Sequence, residues 1–130
     1  MWSKAADTGE AVTTKPTASN EVAARILRER FSDLVNYESD DPSAPIDPLT
    51  YKTPEGDNVL HYAAMRGDVE AALLALKIGI DVNSKGDLGN TAAHYAATFN
   101  FREVFDCLVD AGAHTSILNE LNIYPIRPGK

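Results

Sequence analysis

A single cysteine, Cys107, among 130 residues leaves no intrachain disulfide to form. It falls inside an apolar helical pattern, the usual setting of a buried, inert thiol, and no cationic cluster beside it would activate it. No apolar run approaches the ~20 residues needed to cross a bilayer. The first 20 residues also lack the apolar core of a secretory leader. A protein of the reducing cytoplasm is therefore expected. Basic residues are scarce, with 12 Lys and Arg against 19 Asp and Glu and a net charge of -7. Nucleic acids and anionic membranes both require a basic surface and are not expected partners. A basic protein would be drawn in by the negative field. The three histidines and one cysteine show no zinc-ligand spacing, so no metal is expected. There is no nucleophile elbow, phosphate loop or dinucleotide fingerprint, and this absence predicts a non-enzyme without a cofactor.

What is present is organised in blocks. Residues 1–19 have no apolar period and read as a flexible tail, in which Trp2 is taken as an accidental terminal residue rather than a hook for a partner. From Asn20, a potential N-cap, the residues Val22, Ile26, Leu27, Phe31, Leu34 and Val35 recur at helical spacing, predicting an amphipathic helix over 20–37. Residues 38–55 hold Pro42, Pro45, Pro48 and Pro54 and read as an extended acidic connector. Six acidic residues against Lys52 give the stretch 38–57 a net charge of -5. Paired carboxylates there, such as Asp40 and Asp41, serve solvation more readily than acid–base chemistry.

The rest of the chain repeats itself. GDNVLHYAAMRGDVEAALLALKIGIDVNSKGDL from Gly56 and GNTAAHYAATFNFREVFDCLVDAGAHTSILNEL from Gly89 are offset by 33 residues and share the block HYAA. Asn58 and Thr91 can cap a short helix. Gly67 and Asn100 can break it in a left-handed conformation. A second helix follows, with Val69, Leu73 and Leu76, or Val104, Leu108 and Val109, facing the first. Gly79 and Gly112 end it as the residues after the C-cap. Each unit leaves apolar surface on both flanks, so the units must stack.

A 33-residue period with this content resembles the ankyrin repeat. The matching segments are GDNVLHYAA (56–64), RGDVEAALLAL (66–76) and GIDVN (79–83), then GNTAAHYAA (89–97) and GAHTS (112–116), and the likeness covers roughly residues 46–127. It implies an all-α fold, a short solenoid of repeats 56–88 and 89–121. The helix 20–37 would cap its start in the place of a preceding repeat, and a truncated repeat 122–130 would close its end. Val59 and Ala92 replace the family's helix-starting proline, Asn58 replaces its threonine, and Ala93 replaces a core leucine. The last change implies a looser second repeat. His61 and His94, one repeat apart, fall on the family's structural histidine.

The resemblance also implies a function, the binding of a partner protein on the concave face formed by the projecting turns and the first helices. Carried over residue by residue, that face consists of Glu55, Asp57, Met65, Arg66, Asp87, Leu88, Asn90, Thr98, Phe99, Glu120 and Ile123. Met65, Leu88, Phe99 and Ile123 would form an apolar centre within the acidic rim Glu55, Asp57, Asp87 and Glu120. Phe99 stands open between contact and packing, whereas Leu88, recurring as Leu121, is expected to pack. The acidic stretch 38–57 remains the rival contact. By analogy with small stand-alone ankyrin proteins of bacterial type, an inhibitor or immunity protein against a toxin is expected, with a regulatory or assembly subunit as the alternative.

Overall fold

The computed structural model describes residues 18–129, so most of the tail, Trp2 included, lies outside the described residues. Five α-helices follow in order: α1 (Ala18–Arg30), α2 (Val59–Arg66), α3 (Val69–Lys77), α4 (Ala92–Thr98) and α5 (Arg102–Asp110). Among the described residues there is no strand, and no helix is long and apolar enough to cross a membrane. The pairs α2–α3 and α4–α5 stack in register, α2 against α4 and α3 against α5, while α1 packs on α3.

The sequence period becomes a period of backbone conformation. Gly67 and Asn100 both take φ near +65°, at 68° and 65°, to end the first helix of each pair. Gly79 and Gly112 do the same after the second helix, at 111° and 101°. The N–H groups of Ile80 and Ala113 then reach back to Ala75 and Leu108, at 3.2 and 2.9 Å, and occupy carbonyls that a helix end would leave bare. The projecting turns repeat three times, through Thr53→Asp57, Gly86→Asn90 and Asn119→Ile123 backbone bonds of 2.9, 2.8 and 3.1 Å. Each contains a left-handed residue at the same place, Gly56, Gly89 or Asn122.

The core shows how the second unit accommodates Ala93. Leu60 on α2 is buried with Ala71, Ala72 and Ala75 on α3; the matching positions carry Ala93 with Val104, Phe105 and Leu108, all buried. The bulk has moved from the first helix to the second, which offsets the volume lost at Ala93. The facing pattern differs in detail from expectation, because Leu73 and Val109 are exposed and the alanines of α3 make the contact.

The N-terminal helix is shorter and earlier than its apolar spacing predicts. It begins at Ala18, placing Asn20 inside the first turn rather than at the cap, and gives way to turns after Arg30. Ala23, Leu27, Phe31 and Leu34 are buried, while Val22 and Val35 are not. Its C-terminal end meets the start of α3: Arg30 pairs with the helix cap Asp68 at 2.9 Å and with Glu70 at 2.8 Å. The connector is not an extended strand of solvated chain either. Asn36 clamps it through bonds to Pro42 and Pro45 carbonyls, both 2.9 Å, and Ile46, Pro48, Tyr51 and Thr53 are buried against the helices.

Candidate functional site

The two histidines are built into the frame. The backbone N–H of Asn58 donates to His61 Nδ1 at 2.9 Å, so the proton sits on Nε2, which donates to the Ser84 carbonyl at 2.9 Å. His94 repeats the arrangement, accepting from Thr91 N–H at 3.0 Å and donating to the Ile123 carbonyl at 2.9 Å. Each ring thus caps a helix on one side and ties down the next turn on the other. Burial pushes the His61 pKa below its ordinary value, outweighing the opposing pull of the Ser84 carbonyl and Asp57. Neither ring has a free nitrogen to offer a substrate. No cluster of His, Cys, Asp and Glu among the described residues could hold a metal ion. The Cys107 thiol is raised by burial and by the carboxylates of Asp110, Glu103 and Asp106, the opposite of activation.

The predicted contact residues divide into three groups. Asn90, Thr98 and Ile123 line one groove of about 460 Å³, together with His94, Asn119 and Leu121, so turn tips and the end of α4 share one surface. Glu55, Leu88, Phe99 and Glu120 are exposed, and Met65 is half-buried against the core. Asp87 is half-buried on the second turn, where its backbone N–H is already engaged by Asp57.

Two of the predicted residues are engaged within the chain, one of them buried and the other exposed. Asp57 is interior, not rim: its Oδ1 accepts from Tyr95 Oη at 2.7 Å and from Asp87 N–H at 3.0 Å. Arg66 stays exposed but turns toward the segment just after α1, bonding Asp33 at 2.8 Å with its guanidinium 5.1 Å from the Phe31 ring centre and 5.5 Å from that of Tyr62. Phe99 takes the place of Arg66 one unit later and stands 49% exposed.

Leu88 is also corrected, because it does not pack. It is 46% exposed, and its counterpart Leu121 60%. Its backbone lies at φ 58°, ψ 24°, a left-handed conformation that disfavours a leucine. Among the described residues every other positive-φ position is glycine or asparagine and falls on the repeat lattice; Leu88 alone does neither. Sequence reasoning has no signal for this, since the neighbouring Gly89 already supplies the left-handed residue the turn needs.

Comparison with known proteins agrees with this geometry. A family profile described as ankyrin repeats, three copies, matches residues 20–119. An ankyrin repeat protein of fowlpox virus (strain NVSL) is 39% identical over 70 residues, which cover 54% of this chain and 16% of the viral protein. One of Acanthamoeba polyphaga mimivirus is 34% identical over 77 residues, 58% of this chain and 10% of that protein. The matched region is thus a small part of each relative's length.

Proposed function

The chain belongs to the ankyrin repeat family, whose repeats generally mediate protein–protein interaction, and we propose that it captures a partner protein on the face formed by its turn tips and the exposed end of α4. The observation that carries this reading is Leu88. A leucine held left-handed is disfavoured by about 1–2 kcal/mol, and conformational strain of this kind concentrates at binding and switching sites. Here the strained backbone holds an apolar side chain out on a turn tip, beside Glu120 of the next turn. Phe99, Leu88 and Ile123 supply apolar anchors, and Glu55 and Glu120 an acidic rim. With a net charge of -7 the chain favours a basic partner. An inhibitor of such a protein in the cytoplasm, immunity against a toxin included, is the finer form of the proposal.

The test is co-purification from the source cells with wild type and a Leu88→Gly/Phe99→Ala double variant at low and moderate salt. Capture of one protein by wild type and its loss in the variant supports the reading. Capture that survives the variant but fades with salt transfers the contact to the acidic stretch 38–57.

A further inference from the structure

The connector between α1 and α2 forms a pocket of about 230 Å³, on residues that the groove at the turn tips does not use. Its walls are tied within the chain. The Glu38 N–H donates to Asn36 Oδ1 at 2.9 Å, and Asn36 Nδ2 donates to the Pro45 carbonyl at 2.9 Å. The Leu49 N–H donates to Asp47 Oδ1 at 3.1 Å, and the Tyr51 N–H to the Asp47 carbonyl at 2.9 Å. Both segments that line the pocket are thereby held in shape, which lowers the ordering cost of binding.

Tyr51 marks the pocket as a site. It lines the pocket and is only 6% exposed, and among the described residues its hydroxyl has no hydrogen-bond partner. Burial, with Tyr62, Tyr37 and Asp33 nearby, pushes its pKa to about 12, so the phenol is neutral. A buried hydroxyl without a partner carries a desolvation penalty that a bound donor removes.

The other walls say which donor. Glu38 and Asp47 face one cation, Lys52, in a stretch 38–57 of net charge -5. Tyr37 adds a second aromatic ring. A guanidinium fits this set, because it stacks on aromatic rings, binds a carboxylate through two bonds at once and carries N–H donors with no acceptor. An ammonium is a compact, strongly hydrated charge and gains less from such a lining. Size agrees. At ~30 Å³ per water, 230 Å³ holds roughly seven to eight waters, about the seven non-hydrogen atoms of one arginine side chain. A drug-sized ligand needs ~300–1,000 Å³.

We propose that this pocket takes a single arginine side chain of a partner protein, its guanidinium shared between the Glu38 and Asp47 carboxylates and the Tyr51 hydroxyl. The proposal rests on the reading of the chain as a module for a basic protein, and adds a contact on a surface separate from the turn tips.

The experiment titrates the full chain, labelled with nitrogen-15, with the end-blocked peptide Gly-Gly-Arg-Gly-Gly, and reads amide shifts by NMR up to about 10 mM peptide. Two further peptides carry citrulline or lysine in place of the arginine. The arginine peptide is expected to shift resonances of residues 36–52, the lysine peptide to bind more weakly, and the citrulline peptide, which lacks the charge, to leave the spectrum unchanged. Tyr51→Phe keeps the ring and removes only the hydroxyl. It is expected to leave the thermal melt unchanged or raised and to weaken arginine binding about threefold. Glu38→Gln, at an exposed position, should weaken binding by a similar factor, and Lys52→Gln should tighten it about twofold by removing a like charge. Weaker binding in Lys52→Gln would mean an anionic occupant and overturns the proposal. So does equal binding of the lysine or citrulline peptide, or the absence of any shift. A marked loss of stability in Tyr51→Phe would show that its hydroxyl is already used within the chain, and overturns it too. Shifts confined to the turn tips would overturn the pocket while leaving the turn-tip face standing.

Discussion

The carboxylate of Asp57 accepts the phenol of Tyr95 at 2.7 Å, joining the first turn to the first helix of the following unit. The same oxygen takes the Asp87 N–H at 3.0 Å, so one side chain fixes the second turn and the second unit together. A hydrogen bond to a buried charged group contributes about 1.5–3 kcal/mol. Tyr95→Phe is expected to lower stability by about 1–2 kcal/mol, and Asp57→Ala by about 2–3 kcal/mol because it also orphans the Asp87 N–H. In a double-mutant cycle by chemical denaturation the two should be non-additive, since they share one bond. Strict additivity would remove the link from the account.

Gly86 gives a second handle on the same contact. It stands where Thr53 and Asn119 stand in the neighbouring turns, and a side chain there would collide with Asp57 Oδ1. Its φ of -110° suits any residue, so the requirement for glycine is spatial rather than conformational. Gly86→Ala is expected to destabilise by about 1–3 kcal/mol as an overpacking change. Combined with Asp57→Ala, which removes the closest clash, it should cost less, the His61 ring at 3.0 Å remaining as a lesser one. Equal cost in both backgrounds would contradict the steric reading.

Much of the frame was legible from the sequence, for a physical reason. Left-handed turns admit few residue types, so Gly67, Asn100, Gly79 and Gly112 announce their positions in any reading of the repeat. His61 and His94 were placed through the family resemblance, as its structural histidine, and both complete a capping box. The Asp57–Tyr95 link was not legible, because Tyr62 and Tyr95 are identical in repeat context and differ only in what precedes them in space. Tyr95 meets the preceding unit's aspartate, whereas Tyr62 lies beneath Arg66. The end of α1 was missed because Leu34 continues the apolar spacing from a turn, buried without being helical. Leu88 misled because recurrence at Leu121 reads as packing, while both side chains are exposed at turn tips.

Protonation of His61 should set an acid limit on stability. Its folded pKa lies below the ordinary 6.5, so above that value the folded and unfolded chains are both neutral and this residue imposes no pH dependence. As the pH falls through 6.5 the unfolded chain takes up a proton that the folded ring refuses, and stability declines. One such group contributes a slope of up to about 1.4 kcal/mol per pH unit. Denaturant midpoints for wild type should fall between neutral pH and pH 5 more steeply than those of His61→Gln. Parallel curves would show that the ring titrates normally in the folded state.

Leu88→Gly separates stability from function. Glycine adopts the left-handed conformation without the side-chain penalty, so the variant is expected to gain about 1 kcal/mol in thermal or denaturant unfolding. The apolar anchor is lost at the same time, and affinity for a partner captured by wild type should drop about tenfold. A variant that is less stable than wild type would mean that Leu88 contributes packing that its exposure does not reveal.

The most direct test of the turn-tip face compares two sites of equal exposure. Phe99 at the end of α4 is 49% exposed, and Leu73 on α3 50%. A photo-crosslinking phenylalanine analogue is placed at each in turn, and the full chain is irradiated in source-cell lysate. The account predicts one discrete crosslinked protein from position 99, competed away by unmodified chain, and none from position 73. A discrete product from position 73 alone, or equal products from both, would contradict it.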